Sequence, residues 1–163
     1  MSESKNKFYA ELCEESKALI CGESNMIANL ANVAALLGER MEKINWAGFY
    51  LMDKGFLVLG PFSGKPACIR IALGKGVCGT AAEKNENVRV EDVHAFPGHI
   101  ACDSASASEI VLPLRKAGKA IGVLDIDSPE KARFTKEDEE GLDALARIIE
   151  TAGSDGIFGY DLQ

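Results

Sequence analysis

The chain has 163 residues, a length that fits one domain and allows about 70% of the unfolded surface to be buried on folding. Hydrophobic residues make up 47% of the chain and charged residues 26%, which is typical of a soluble globular protein and excludes a disordered or fibrous one. The net charge is −7, and because a negative field repels phosphate groups, we expect neither nucleic acid nor a membrane surface as a partner.

The cellular compartment is predicted from two features. The N-terminal stretch is polar and acidic, and no apolar run approaches the roughly 20 residues that span a bilayer, so we expect a cytoplasmic protein. In a reducing compartment cysteines start as thiols, and a disulfide would be transient and redox-active rather than structural. The chain has five cysteines, an odd number: Cys13, Cys21, Cys68, Cys78 and Cys102.

Two helices are predicted at the start of the chain. The first runs from about Lys7 to Ile20. The second follows Ser24, a residue type that often caps helices. Spacings of three and four residues then predict one apolar helical face, made of Ile27, Leu30, Ala34, Leu37 and Met41.

The central part of the chain has the pattern of a sheet. "INWAGFYLMDKGFLVLGPF" predicts a hairpin around Asp53-Lys54-Gly55. A strand through Ile71, a glycine-bounded turn, a helix from Val77 to Lys84 and the short strand "VRVEDV" follow. A long loop then leads to the strand "EIVLPLRK", and a glycine turn leads to the last strand in "KAGKAIGVLDIDS".

A C-terminal helix completes the predicted fold. Thr135 and Asp138 resemble a capping box, and the apolar stripe of the helix is Leu142, Leu145, Ile148 and Ile149. Hairpin-connected strands between terminal helices predict an α+β domain, with a central antiparallel sheet and the N- and C-terminal helices packed on one face. We expect a single domain over 1–163, with an N-terminal helix in 1–22 and a tail at 153–163.

The cysteines are the first candidates for chemistry, because a thiolate is a strong nucleophile. Cys13 and Cys21 lie in or beside the first helix, where buried or incidental thiols are common. Cys78 begins a helix, and a helix N-terminus lowers the pKa of a thiol. Cys68 lies on a strand and Cys102 in the long loop; on residue type alone, three unreactive thiols remain an equal alternative.

Acidic and aromatic residues suggest a binding pocket. Asp125 and Asp127 are two apart on one strand and therefore share a face, which is either solvated or binds a cation; Glu109 opens another strand. Trp46 and Tyr50 also share a face, and core packing is their default role. Together the two pairs would form an apolar wall and an anionic wall, which suits a small zwitterion with an apolar side chain.

Two other chemistries are considered from the same residues. His94, His99 and Cys102, with Cys78 as a fourth ligand, could form a zinc site, but the paired short spacings of structural zinc sites are missing. A cysteine protease or acyltransferase needs a histidine oriented by an acid beside the nucleophile. No local signature supports that class, and neither histidine is predicted to be catalytic.

Four motifs carry a resemblance to a known family. "NWAGFYL", "GKGVCGTAA", "DVHAFPGHIACDSASASEIVLPL" and "IGVLDIDSP", in this order, look like the free methionine-(R)-sulfoxide reductases, which are built on a single GAF domain. The resemblance covers nearly the whole chain from the second helix onwards. It implies reduction of free L-methionine (R)-sulfoxide to methionine, with thioredoxin as the reductant, no metal or organic cofactor, and a homodimer formed through the N-terminal helices.

The resemblance also implies residue roles. Cys102 would be the nucleophile that becomes a sulfenic acid, Cys68 the resolving cysteine, and Cys78 an auxiliary or alternative resolving cysteine. Glu109 would protonate the sulfoxide oxygen. The substrate amine would be held by Asp125 and Asp127, and its methyl group would lie against Trp46 and Tyr50.

These implied roles are chemically consistent. A sulfoxide oxygen leaves only when protonated, which requires an acid held neutral by burial, and a sulfenic acid is recovered only if a second thiol captures it. Carboxylates that hold an ammonium group favour the free amino acid over an uncharged peptide nitrogen. The alternative is a GAF domain that binds a small molecule without catalysis, in which case the thiols have no role.

Overall fold

The structure is a computed structural model that describes residues 2–100 and 104–152. The helices are α1 (Ser2–Ile20), α2 (Met26–Arg40), α3 (Gly76–Lys84) and α4 (Lys136–Thr151). The strands are β1 (Trp46–Asp53), β2 (Phe56–Gly64), β3 (Arg70–Ala72), β4 (Val88–Val90), β5 (Ser108–Lys116) and β6 (Lys119–Ser128). Over these residues, no helix is long and apolar enough to cross a membrane. The predicted tail at 153–163 lies outside the described residues.

The six strands form one antiparallel sheet in the order β3-β2-β1-β6-β5-β4. Helices α1, α2 and α4 pack with one face of this sheet around the larger apolar core. The α+β fold with the terminal helices on one face is therefore confirmed. Helix α3 lies on the opposite face, where a second apolar cluster packs against β5 and β6.

The sequence pattern located α2 but misplaced its start. The N-cap is Asn25, not Ser24, because the Asn25 side chain accepts a hydrogen bond from the Ala28 N–H at 3.0 Å. Ile27 was also wrongly assigned to the buried face, since 57% of it is exposed. Met26 takes the inward position in the first turn, four residues before the buried Leu30, as the helical period allows.

The hairpin between β1 and β2 has the predicted turn. Asp53 pairs with Phe56, and the two residues between them, Lys54 and Gly55, have φ values of 49° and 84°. Positive φ at both central positions is the geometry of a two-residue turn that matches the twist of the flanking strands. The turn therefore sets the register that places the residues of β1 opposite those of β2.

Helix α4 begins with the predicted capping box. The Thr135 N–H donates to Oδ2 of Asp138 at 2.8 Å, and the same carboxylate accepts from Lys5 at 2.7 Å and from the Tyr9 hydroxyl at 2.8 Å. Helices α1 and α4 are also very close at Gly141, where a Cβ atom would overlap the Tyr9 ring. Asp138 thus caps one helix and attaches the other to it.

Candidate active site

A small cleft opens on the α3 side of the sheet. It is lined by residues of β1, β5, β6 and α3 and by part of the segment that leads into β5. Of the predicted site residues, Trp46, Tyr50, Cys78, Glu109, Asp125 and Asp127 line it. Pro66 and Ala67, next to Cys68, also line it. Cys102 lies outside the described residues.

Strand register brings the three acids together. Asp127 of β6 pairs with Trp46 on one side and with Glu109 on the other, while Asp125 pairs with Val111 of β5. The predicted common face of Asp125 and Asp127 is confirmed, because both line the cleft. Asp125 is only 5% exposed, so the solvated alternative is wrong for this acid; Glu109, at 7% exposed, is buried beside it.

The aromatic side chains of β1 lie beside the acids in the same cleft. The rings of Trp46 and Tyr50 stack with centroids 5.9 Å apart, and Phe62 stacks on Trp46 at 5.3 Å. The indole Nε1 donates to the backbone oxygen of Lys65 at 3.0 Å, and the Tyr50 hydroxyl donates to that of Cys68 at 2.9 Å. Both aromatic residues therefore pack in the core, line the cleft and anchor the segment that carries Cys68.

Helix α3 places Cys78 among the acids. Gly79 allows this approach, because a Cβ atom there would overlap the backbone oxygen of Ala72. The Cys78 thiol is 3% exposed and donates to Oε1 of Glu109 at 3.8 Å. Burial, and after it the charges of Asp125 and Glu109, raise the pKa of this thiol well above its ordinary value. The prediction that the helix N-terminus lowers the pKa of Cys78 is therefore wrong.

Burial also determines the protonation of the acids. It raises the pKa of Glu109 well above its usual range, and the charges of Asp125 and Asp127 raise it further. Burial raises the pKa of Asp125 to about 6, although its contacts with Glu109 and Cys78 partly offset the effect. Both shifts favour the protonated form, which is the form that a proton donor needs.

The other cysteines differ in state. Cys13, Cys21 and Cys78 are free thiols, with Cys13 buried and Cys21 exposed. Cys68 forms a disulfide. Neither Cys13 nor Cys21 lines the cleft, which agrees with assigning them no role.

Sequence reasoning missed eight lining residues of the cleft: Pro66, Ala67, Ile71, Lys75, Gly76, His99, Ile100 and Ser106. Lys75 is exposed and directly precedes α3. Its position between two glycines was the sequence feature that could have indicated a lining residue. His99 has its pKa lowered by burial and then by His94, whose ring centroid lies 6.2 Å away. Of the considered zinc ligands, His99 and Cys78 line the cleft, and Cys102 lies outside the described residues.

Comparison with known proteins identifies the family. Residues 28–152 match the family described as GAF domain. Free methionine-R-sulfoxide reductase of Escherichia coli K12 is 58% identical over 146 residues, which cover 90% of this chain and 88% of that protein. The reduced form of fRMsr from Staphylococcus aureus is 52% identical with a TM-score of 0.85, covering 87% of this chain and 92% of that one.

A further structural relative has been solved with its substrate. Free methionine-R-sulfoxide reductase from Neisseria meningitidis is 48% identical with a TM-score of 0.83, covering 86% of this chain and 84% of that one. Identity of this extent over nearly the full length of each relative exceeds what a shared fold alone requires. The chain belongs to the GAF-domain family and, within it, to the free methionine-R-sulfoxide reductases.

Proposed function

We propose that this protein reduces free L-methionine (R)-sulfoxide to L-methionine, using a cysteine relay that thioredoxin recycles. The observation that carries the proposal is the composition of the cleft in a member of this family. A buried neutral acid, two further carboxylates and an aromatic wall meet beside the segment that carries Cys68. Each of these groups matches one part of the substrate.

Substrate recognition follows from the charges of the cleft. Asp125 and Asp127 would hold the α-ammonium group, and the methyl group would lie against Trp46 and Tyr50. Lys75 is the one lysine or arginine among the described lining residues, and its place at the mouth suits the α-carboxylate. A peptide-bound sulfoxide offers neither charge, so the buried carboxylate would be left without a cation.

The chemical steps need two thiols and one acid. Glu109 donates its proton to the sulfoxide oxygen while the Cys102 sulfur attacks the sulfoxide sulfur, and the oxygen ends on Cys102 as a sulfenic acid with methionine released. The Cys68 thiol then attacks the sulfenic acid, which forms the disulfide and releases water. Thioredoxin reduces this disulfide to two thiols and is itself oxidised.

Cys68 suits the resolving role better than Cys78. Attack on a sulfenic acid requires a thiolate, and Cys78 is held as a buried thiol beside two carboxyl groups. Cys68 lies in the segment that Tyr50 anchors at the cleft, and it is already in a disulfide whereas Cys78 is free. We therefore propose Cys102 as the disulfide partner of Cys68, and Cys78 as a hydrogen-bond donor that orients Glu109.

The activity is tested with a matched pair of cysteine variants. Cys102→Ser should abolish reduction of free methionine (R)-sulfoxide, because the nucleophile is removed, whereas Cys21→Ser should retain it, because Cys21 is exposed and outside the cleft. The assay is methionine formation with thioredoxin and its reductase. A wild-type chain that binds the sulfoxide but loses no thiols would instead be a binding protein.

The relay is tested in a single turnover without thioredoxin. Wild type and Cys78→Ser should each lose two thiols per sulfoxide, because both retain Cys68. Cys68→Ser should stop at the sulfenic acid, which a sulfenic-acid trapping reagent and mass spectrometry detect. If Cys78→Ser rather than Cys68→Ser blocks the disulfide, the assignment of the resolving cysteine is wrong.

A further inference from the structure

The cleft contains a compact set of potential metal ligands. The sulfur of Cys78 and one carboxylate oxygen each of Glu109 and Asp125 lie within 4.8 Å of one another, and all three residues are buried. They come from α3, β5 and β6, so three packed elements hold them in place. Thiolate and carboxylate together are a donor set that suits a borderline-soft divalent cation such as Zn²⁺.

The distance between Cys78 and Glu109 is compatible with such an ion. Zn²⁺ binds sulfur at about 2.3 Å and oxygen at about 2.0 Å, and a tetrahedral angle between these bonds places the two ligand atoms about 3.5 Å apart. The Cys78 sulfur lies 3.8 Å from Oε1 of Glu109. A small side-chain movement would therefore complete that edge of the tetrahedron.

A second, independent observation indicates that this cluster takes a cation. Oδ1 of Asp125 is buried and has no hydrogen-bond partner among the described residues, although a buried carboxylate oxygen normally has one. Lys75, the one lysine or arginine lining the described part of the cleft, is exposed at its mouth. Although the Asp125 carboxylate contacts Glu109 and Cys78, its Oδ1 thus has no donor among the described residues, and none of those residues is a lysine or arginine buried beside the cluster.

We propose that Cys78, Glu109 and Asp125 bind Zn²⁺, or a divalent ion of the same class, as an inhibitor of this protein. Three protein ligands leave the fourth position of the ion to a water molecule on the cleft side. On binding, the ion replaces the protons carried by the Cys78 thiol and the Glu109 carboxyl, which are released to solvent. The ion is an inhibitory ligand here and takes no part in the reaction.

Inhibition follows because the ion and the substrate use the same groups. Asp125 would no longer hold the substrate ammonium, and Glu109 would no longer carry the proton for the sulfoxide oxygen. Zinc should therefore compete with methionine sulfoxide. This consequence rests on the proposed function, whereas binding of the ion does not.

Metal binding is tested with Co²⁺ as a spectroscopic probe of the reduced, chelator-treated full chain. Wild type should develop a near-ultraviolet sulfur-to-cobalt charge-transfer band that saturates at one equivalent of Co²⁺ per chain. Zn²⁺ should abolish the band, because it binds more tightly than Co²⁺. Cys78→Ala should lose the band. Cys21→Ser and Cys102→Ser should keep it, which excludes the exposed thiol and the proposed nucleophile as its source.

A second variant covers the case in which Cys78→Ala does not fold, which circular dichroism would reveal. Asp125→Asn keeps the shape of the side chain and should weaken Co²⁺ binding by about tenfold or more. Absence of the band in wild type, its persistence in Cys78→Ala, or unchanged affinity in Asp125→Asn would overturn the site.

Competitive inhibition is tested by measuring reductase activity over a range of Zn²⁺ concentrations at several concentrations of substrate. The apparent inhibition constant for Zn²⁺ should rise linearly with the concentration of methionine sulfoxide. Inhibition that is independent of substrate would overturn the competitive mechanism. A chain that binds Co²⁺ through Cys78 but reduces no sulfoxide would contradict the proposed function and leave the metal site intact.

Discussion

Asp125, a proposed substrate ligand, is buried in a position that lowers stability. The side chain is 5% exposed, and its Oδ1 has no hydrogen-bond partner among the described residues. Burial raises its pKa to about 6, against about 3.9 for an unperturbed aspartate. The folded state therefore binds this proton more tightly than the unfolded state does, and the free energy of unfolding falls as pH rises from about 4 to 6.

Asp125→Asn should consequently raise the stability of the protein while weakening its binding of methionine sulfoxide. At pH 7 we expect the free energy of unfolding to rise by roughly 2 kcal/mol, because the amide carries no buried charge. At pH 3.5 the variant and wild type should be nearly equal, and at pH 7 the KM for methionine sulfoxide should increase. Urea unfolding of chelator-treated protein at the two pH values checks the first part. A loss of stability at pH 7 would contradict this account.

At the scale of elements, Asp138 joins two helices that are far apart in sequence. Burial alone would raise its pKa, but hydrogen bonds from Lys5, the Thr135 N–H and Tyr9 hold the pKa at about 2. The folded-state pKa is below the unfolded value, so this stabilisation is present above about pH 4 and is lost as pH falls towards 2. Acid should therefore loosen the contact between α1 and α4.

Asp138→Asn tests the role of this carboxylate. We expect the free energy of unfolding to fall by about 2 kcal/mol at pH 7 and by much less near pH 2, because about half of the wild-type carboxylate is then protonated and most of its stabilisation is already lost. Glu140→Gln is the control on the same helix. The Glu140 carboxylate is exposed and forms a long ion pair of 4.0 Å with Lys136, and exposed pairs of this kind contribute little to stability. Equal losses in both variants, measured by urea unfolding, would show that Asp138 has no special role.

At the scale of the whole molecule, the sheet separates the core from the cleft. Along β6, Leu124 and Ile126 pack with the helices α1, α2 and α4, while Asp125 and Asp127 line the cleft. The apolar core and the proposed substrate site therefore lie on opposite faces of the same strand. Changes on the two faces should have separable effects.

Neighbouring substitutions in β6 test this separation. Leu124→Ala should cost about 3 kcal/mol of unfolding free energy, because it leaves a cavity in a fully buried position, and the KM of the folded protein should stay unchanged. Asp127→Asn should raise KM with a smaller effect on stability. Urea unfolding and steady-state kinetics on the same preparations check both. A raised KM in Leu124→Ala would show that the two faces are coupled.

Local signals in the sequence were reliable where a few adjacent residues determine the geometry. The turn at Lys54 and Gly55, the capping box of Thr135 and Asp138, and the shared face of Asp125 and Asp127 were all predicted correctly. Ile27 was misplaced because two adjacent apolar residues begin α2, and only packing decides which one faces inward. The homodimer, the cytoplasmic location and thioredoxin as reductant stay predictions.

By its motifs, the sequence alone determined the fold class, the family and six of the fourteen described residues that line the cleft. The tertiary structure decided their chemical states, because a pKa depends on groups that distant segments bring together. Cys78 was expected to be an activated thiol and is instead a buried donor, since β5 and β6 place Glu109 and Asp125 beside it. The same convergence of three elements raises the pKa of Glu109 and assembles the proposed ligand set for a metal ion.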